Sequence, residues 1–405
     1  MYIRREIEQT IHEMLGQFKV VLVTGARQVG KTTVLKECLV GSYSYVSLEN
    51  PAAFSMADSD PVLFFQANDL PLIVDEVQRV PGLFQTAKFI VDQSDAVGQV
   101  VLTGSQTYEL MKGVSESLAG RVGILEMSGL SLRELAGNAK NRQPYVPRQL
   151  RASELAAPPE GFDLWARIQR GSMPQLCATD IPWDRFWSSY VQSYLERDVR
   201  ALVNVKSERK FYDFMVATAA RTGQLFNASD IANDIDMSYK TVQSWVSILQ
   251  ASGIVHLVYP FWQNAGKSVT KSPKLYFMDT GLVCHLTRWN TPEQLKNGAV
   301  AGRVFETFVV SEVLKSYMNA GGNVRDVWFY RDLKKREIDL IIQDGHVLHP
   351  VEVKTAATVG AKAVRNFACL EGIAGFEVGF GHVVCQTTEP YLVTRDVQAV
   401  PVWAL

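Results

Sequence analysis

The stretch Val20–Thr33, VVLVTGARQVGKTT, decides the fold. Val20, Val21, Leu22 and Val23 form the short continuous apolar run of a buried strand. They lead into Gly25, Ala26, Arg27, Gln28, Val29, Gly30, Lys31 and Thr32, followed by Thr33, which fit the pattern G-x-x-x-x-G-K-[ST]. Gly25 and Gly30 accept backbone angles that turn successive N–H groups toward one anion. A helix opening near Lys31 adds its unpaired N–H groups and the positive end of its dipole. Lys31 is then expected to reach the β- and γ-phosphates of a nucleotide, and the Thr32 hydroxyl to ligate Mg²⁺. A glycine-rich turn can match this pattern by chance, but here the strand before it and the helix after it are both in place.

The next apolar strand ends in acid: Leu70-Pro-Leu-Ile-Val-Asp75-Glu76. After a phosphate loop, Asp75 is expected to hold Mg²⁺ through water, and Glu76 to orient and deprotonate the attacking water. The competing reading is a strand that ends in two acids beside a helix N-terminus. A third strand, Gln99–Thr103, runs into Gly104-Ser105-Gln106, so Ser105 or Thr103 is placed to sense the γ-phosphate; Ser105 is equally well read as a helix N-cap. Arg121 follows in Ser117-Leu-Ala-Gly-Arg121, either to stabilise phosphoryl transfer, in its own subunit or a neighbour's, or as a surface arginine.

These segments, GARQVGKTT, VDEVQRVP, LTGS and ESLAGR, resemble the large prokaryotic family of AAA-superfamily ATP-binding proteins. That family ends in a C-terminal domain of unknown function similar to restriction endonucleases. The resemblance covers most of the chain. It implies ATP as the nucleotide and a sheet in which the Val100–Thr103 strand lies between the loop strand and the Asp75 strand. It also implies an arginine finger or sensor role for Arg121 and includes Gln78, without a role, in the matching motif.

The 405 residues exceed what one core usually serves, so two or three domains are expected. The fold class is α/β: a P-loop ATPase with a parallel sheet at 1–165, a helical linker and winged-helix domain at 166–294, and an α/β restriction-endonuclease-like domain at 295–405. The net charge of −1 gives no global basic field for nucleic acid. Five scattered cysteines without a Cys-x-x-Cys pair argue against a disulfide framework or zinc site and for a reducing compartment. No signal-peptide core and no apolar run near the ~18 residues a bilayer requires are present, so a cytoplasmic protein without membrane contact is expected.

Ile3 to Leu15 reads as a helix with Ile7, Ile11 and Leu15 on one face. The proline-punctuated polar stretch Asn138–Pro159 reads as a linker, and Phe186 to Leu202 as a long helix with Tyr190, Tyr194 and Val199 on one side. Phe211–Val258 reads as a winged helix-turn-helix. Ser229 is its expected second-helix cap, Val242, Val246 and Leu249 face inward, and Tyr239, Lys240, Gln243 and Ser244 face outward. Asp230, Asp234 and Asp236 would repel phosphates there, whereas Lys267, Lys271 and Lys274 further on are more favourable. DNA binding and a packing or protein-contact role both stay open. Lys274–Leu282 reads as a strand and helix without assigned chemistry.

In the last part, Glu306 lies on a helix over Arg303–Ser316, Asp339 on the strand Glu337–Ile342, and Glu352 and Lys354 on one face of the strand Val351–Lys354. A hairpin through Asp344-Gly345 connects the two strands. The set resembles the D-x(n)-E-x-K core of restriction endonucleases, which implies that Glu306, Asp339 and Glu352, with Lys354, hold Mg²⁺ to activate water. Arg331, Lys334, Lys335 and Arg336 would contact a DNA backbone or form a solvated hairpin tip. A salt-bridged sheet without metal is the alternative. The expected function is Mg²⁺-dependent ATP hydrolysis that drives or gates an action on nucleic acid, with DNA, a protein or a second copy of the chain as partner. The alternative is a nucleotide switch whose C-terminal domain binds a protein and cuts nothing.

Overall fold

The computed structural model describes residues 2–105, 118–140, 143–155, 158, 161–194, 208–261 and 272–405. Gln106, Ser117, Lys267, Lys271 and the second half of the expected Phe186–Leu202 helix, with Val199, lie outside them.

Five parallel strands form the N-terminal sheet: β1 (Val20–Gly25), β2 (Ser44–Ser47), β3 (Leu72–Asp75), β4 (Val100–Gly104) and β5 (Val122–Met127), in the order β2-β3-β4-β1-β5. The β4 strand thus lies between the loop strand and the Asp75 strand. The mainly apolar runs of β1, β3 and β4 follow from burial on both faces, whereas the edge strands β2 and β5 are only partly buried. Val21 and Val23 pack with Ile7, Ile11 and Leu35 on one side. Val20 and Leu22 pack with Phe64, Leu83 and Phe84 on the other.

The first helix spans Ile7–Leu15 and is shorter at its start than expected. Arg5 and Glu6 are used elsewhere. The Arg5 guanidinium donates to Glu134 (2.8 Å) and to the carbonyls of Val29 (2.9 Å) and Ser128 (2.8 Å), and the Glu6 N–H donates to Glu134 (2.9 Å). The chain ahead of the helix is thereby fastened to the edge of the phosphate loop.

The middle of the chain contributes helices Trp183–Tyr194, Glu208–Ala219, Ala228–Asp234 and Tyr239–Ala251. With them goes a small antiparallel sheet, β6 (Gln224–Leu225), β7 (Val255–Val258) and β8 (Lys274–Phe277), in the order β6-β8-β7. Val242, Val246 and Leu249 are buried, and Tyr239, Lys240, Gln243 and Ser244 are exposed, as their spacing predicts. The cap of the second helix is Asn227, not Ser229: the Asn227 side chain accepts the Ser229 N–H at 3.0 Å. An asparagine two positions earlier already satisfies a free donor of the first turn.

The polar stretch Asn138–Pro159 is largely exposed over its described part but is anchored at Tyr145 and Leu150. Tyr145 is buried; its N–H donates to Ser316 (2.9 Å), and its hydroxyl meets His382 Nδ1 (2.6 Å). The Leu150 N–H donates to Gln398 (2.9 Å). Buried backbone requires partners, and the C-terminal sheet supplies them.

That sheet is mixed and contains β9 (Val327–Arg331), β10 (Glu337–Asp344), β11 (Val347–Val353), β12 (Glu377–Val378), β13 (Gly381–Cys385), β14 (Tyr391–Thr394) and β15 (Val397–Pro401). The order is β14-β15-β13-β11-β10-β9, with β12 beside β11. The long helix Ala301–Asn319 packs between this sheet and the N-terminal one: Glu312 accepts the Leu132 N–H (2.7 Å), and Lys315 donates to the Leu130 carbonyl (3.1 Å). Among the described residues no helix is long and apolar enough to cross a membrane.

Candidate functional site

The end of β1 closes against β5. A Cβ on Gly25, at φ +144°, would lie 2.0 Å from the Met127 carbonyl oxygen, so only glycine fits there. Gly30, at φ +94°, then turns the chain into the helix Lys31–Cys38. This places Lys31 on the floor of the loop, where its ammonium donates to the carbonyls of Gly25 (3.0 Å) and Ala26 (2.8 Å) and to Ser105 Oγ (3.2 Å).

Parallel pairing brings the tips of β3 and β4 to the same edge as the loop. The Thr32 hydroxyl donates to Asp75 Oδ2 at 2.9 Å, as does the Tyr45 hydroxyl at 2.8 Å. Asp75 Oδ1 is buried without a hydrogen-bond partner in the described structure. A hydroxyl and a carboxylate in contact, with a spare buried carboxylate oxygen, form a donor set that suits a hard divalent cation. Glu76 sits in the left-handed region, at φ +58°, which turns its carboxylate back toward the loop. Gln78 donates to Glu76 Oε2 (2.5 Å) and Ser105 to Glu76 Oε1 (3.3 Å). Ser105 therefore bridges Lys31 and Glu76. The other β4 residue named for this role, Thr103, has a buried hydroxyl with no partner.

A cavity of about 610 Å³ opens over this edge. Arg27, Gln28, Lys31, Thr32, Glu76 and Ser105 line its polar side, and Tyr2, Ile3, Leu130, Pro174 and Ala178 its apolar side. Periodicity gave no hint of the apolar wall, because it is assembled from three distant segments. Tyr45 and Gln78 are also partners that sequence alone leaves without a role.

Of the readings open for Arg121, the structure argues against the one in which it acts in its own subunit. Its carbonyl accepts the Val20 N–H at 3.1 Å, so it lies at the start of β1, while the phosphate loop leaves the other end. Five strand steps separate them, roughly 16 Å. Its guanidinium is paired with Asp92 at 2.7 Å. A contact with phosphates held by its own loop is excluded in this arrangement.

The C-terminal acids do converge. Extending the register Leu340↔Val351 by one residue puts Asp339 opposite Glu352, and a bulge between Ile338 and Ile341 on the β9 side turns the strand at that point. The surroundings are not those of a metal site, however. Lys274, which the sequence offered as a favourable phosphate contact, is instead buried: it enters from β8 and lies 3.0 Å from Glu306, 2.6 Å from Glu337 and 3.9 Å from Asp339. Lys354 lies 2.5 Å from Glu352 and 3.8 Å from Asp339. Tyr276 donates to Glu306 (2.7 Å), and the Val353 N–H to Asp339 (2.8 Å).

Burial opposes the charge on Lys274, but Tyr276, Glu306, Asp339 and Glu337 outweigh it and hold its pKa well above the ordinary lysine value. Burial, reinforced by Asp339, pushes Glu352 up to about 8, and burial likewise raises Glu306. Among the described residues no three metal-ligating side chains are disposed to hold an ion. The expected set Glu306, Asp339 and Glu352 with Lys354 thus does not fit Mg²⁺, because ammonium groups already stand among the acids. The basic turn before Asp339 is also partly spent: Arg331 pairs with Glu337 (2.6 Å) and Arg336 with Asp332 (2.6 Å), while Lys334 and Lys335 are exposed.

Comparison with known proteins assigns three segments. Residues 17–136 match the AAA domain family, 161–293 a domain of unknown function (DUF8612) and 301–405 another domain of unknown function (DUF4143). Uncharacterized proteins of Mycobacterium bovis and Mycobacterium tuberculosis are each 27% identical over 362 residues, covering 88% of this chain and 74% of the relative. A Walker-type ATPase of Pyrococcus abyssi is 15% identical, covering 71% of this chain and 96% of that one at a TM-score of 0.45. The RuvB Holliday junction branch migration motor of Thermotoga maritima is 16% identical, covering 62% and 88% at a TM-score of 0.29. The N-terminal parallel sheet and the loop after β1 thus lie within the segment that is similar to the AAA domain family.

Proposed function

We propose that the chain hydrolyses ATP with Mg²⁺ and passes its nucleotide state to the helices of the middle segment. The observation that carries the reading is the Lys31–Ser105–Glu76 chain of contacts beside the Thr32–Asp75 pair, all at one edge of one sheet. Residues 25–33 supply N–H groups to the phosphates, and Lys31 moves its ammonium from loop carbonyls to phosphate oxygens. Thr32 and Asp75 would hold Mg²⁺, which would supply charge neutralisation at the phosphates. Glu76, oriented by Gln78, takes a proton from the attacking water, and Ser105 reports the γ-phosphate to that carboxylate. The wall of Tyr2, Ile3, Leu130, Pro174 and Ala178 offers the base an apolar face. Arg121 can serve this chemistry only from a neighbouring subunit, which would make the active form an oligomer. The setting we assign is the cytoplasm, in keeping with five cysteines of which none is in a disulfide.

The coupling follows from one contact. Gly253, just past the Tyr239–Ala251 helix, sits so close to the loop that a Cβ there would be 3.2 Å from the Ala26 nitrogen. In this reading the middle segment is a winged-helix module that presents its exposed helix face to a protein. The exposed Asp230, Asp234 and Asp236 beside Lys240 disfavour a phosphate backbone as ligand. Nuclease action is not part of the reading, since the C-terminal acids are matched by lysines.

Nucleotide binding and turnover test the assignment. Lys31→Ala is expected to lose ATP binding, and Glu76→Gln to keep ATP while turnover falls about 100-fold or more. Wild-type turnover in Glu76→Gln would overturn the mechanism. Incubation of wild-type protein with plasmid, Mn²⁺ and ATP is expected to leave the DNA intact; cleavage abolished by Glu352→Ala with Lys354→Ala would restore the nuclease reading.

A further inference from the structure

The acid centre of the C-terminal sheet is built like a cation site, yet a strand of the preceding segment fills it. We propose that Lys274 is the resident cation of this centre, so that its ammonium and a divalent metal ion are mutually exclusive occupants of the Glu306–Glu337–Asp339 cradle. The inference stands apart from the ATPase reading and uses none of its residues.

Three carboxylates from two elements meet at one nitrogen: Glu306 from the long helix at 3.0 Å, and Glu337 and Asp339 from β10 at 2.6 Å and 3.9 Å. Only 3% of the Lys274 side chain is exposed. Removing a lone ammonium that far from water is costly unless carboxylates meet it, and here three do. Conversely, acids this close would repel one another without a positive charge among them. The charges nearly balance, with Glu306, Glu337, Asp339 and Glu352 set against Lys274, Arg331 and Lys354. The mismatch falls at Glu352, whose Oε2 is buried and without a partner while Lys354 holds its Oε1.

The delivery of Lys274 is rigid. It is the first residue of β8, the central strand of the small sheet, paired with Leu225 on one side and Val258 on the other. That sheet is stitched to the C-terminal one beyond β7: the Phe329 N–H donates to the Tyr259 carbonyl (3.1 Å), and the Phe261 N–H to the Phe329 carbonyl (2.7 Å). Phe329 also places its ring 5.6 Å from the Lys274 ammonium. The lysine is therefore a pin through the seam of two sheets, and a metal ion can enter the cradle only if the pin withdraws.

The test is Mn²⁺ binding to the full chain, read by the electron paramagnetic resonance of free Mn²⁺, together with thermal melting with and without Mn²⁺. Wild-type protein is expected to show the same Mn²⁺ binding as Asp339→Asn, because the cradle takes no metal while Lys274 is present. Lys274→Met is expected to gain one Mn²⁺ site, which Asp339→Asn in the same chain removes, and to melt at a lower temperature that Mn²⁺ raises again. Lys274→Arg, which keeps the positive charge, is expected to gain no site.

A wild-type Mn²⁺ site that disappears in Asp339→Asn would overturn the proposal. A folded Lys274→Met chain with no added site would do the same. Should Lys274→Met fail to fold even with Mn²⁺, the comparison of wild type with Asp339→Asn still decides: equal Mn²⁺ binding upholds the proposal and a lost site defeats it.

Discussion

Two regions of this chain set carboxylates beside a lysine at the ends of strands, and they differ in where the lysine comes from. At the N-terminal edge Lys31 belongs to the loop itself, and its ammonium rests on loop carbonyls and a serine. Asp75 there keeps a buried oxygen unpaired beside a 610 Å³ cavity. At the C-terminal edge Lys274 arrives from another sheet and spends its charge on Glu306, Glu337 and Asp339. The first site has binding capacity left over beside a cavity, whereas the second, apart from the unpartnered Oε2 of Glu352, has spent its charges on the fold. A motif that lists acids and one lysine therefore does not define a site until every cation within reach has been placed.

The largest effects should separate the two regions cleanly. Asp75→Asn is expected to lower ATP turnover about 100-fold or more, since the Mg²⁺-holding charge is lost. Asp339→Asn is expected to leave the turnover of the folded enzyme within about twofold of wild type and to lower its melting temperature, because Lys274 and Lys354 lose a shared partner. Steady-state ATPase rates beside melting curves make the comparison. A collapse of turnover in Asp339→Asn without unfolding would mean that the acid centre works in the ATP cycle, and the contrast would fail.

The next effect lies at the seam between the regions. Glu6 accepts from Ser131 (2.9 Å) on the nucleotide side and from Asn319 (2.9 Å) on the long C-terminal helix. Burial, with Glu134 nearby, raises its pKa from 4.5 to about 7. A raised carboxyl pKa means that the folded chain holds the proton longer than the unfolded one. The resulting stability is present in full below about pH 4.5 and is lost as pH rises through about 7. The swing is roughly 3 kcal/mol at most. Glu6→Gln should flatten this part of the pH profile in denaturant unfolding; an unchanged profile would place the titration elsewhere.

Legibility followed the range of the interactions. The phosphate loop, Asp75 and Glu76 are carried by contiguous runs whose local physics is sufficient: an apolar strand, glycines at φ +144° and +94°, and acids at a strand tip; the place of β4 between β1 and β3 followed only from the family resemblance. Asp339, Glu352 and Lys354 are also legible as a group, because strand alternation and one hairpin bring them together, and Glu306 joins them from the helix through the resemblance to the endonuclease core. What escaped depends on residues far apart in the chain. Lys274 and Glu337 are 63 positions apart (337 − 274) and pair only because β7 runs on to β9. Arg121 stands just before a strand in a motif that resembles an arginine-finger segment, but parallel pairing puts the start of β5 at the end of the sheet away from the loop. The stretch near Tyr145 looks like a linker by composition, and its buried partners Ser316 and His382 lie more than 170 positions on.

The smallest effect tests whether the phosphate loop communicates with the middle helices. Gly253 is at φ +67°, and a Cβ there would approach the Ala26 nitrogen to 3.2 Å and the Ala26 Cβ to 3.5 Å. Ala26 is the first residue after Gly25 in the phosphate loop, so this contact joins the loop to the end of the Tyr239–Ala251 helix. Gly253→Ala is expected to cost about 1 kcal/mol of stability through the left-handed backbone alone. If the contact transmits nucleotide state, the variant should also change ATP affinity several-fold, because the loop backbone that cradles phosphate must shift to admit a methyl group. Gly41, at φ +73° with nothing within 4 Å of its added Cβ, provides the control: Gly41→Ala carries the same backbone strain and should leave ATP affinity unchanged. Equal affinities in the two variants would reduce Gly253 to a helix terminator and remove the link between the phosphate loop and the middle helices.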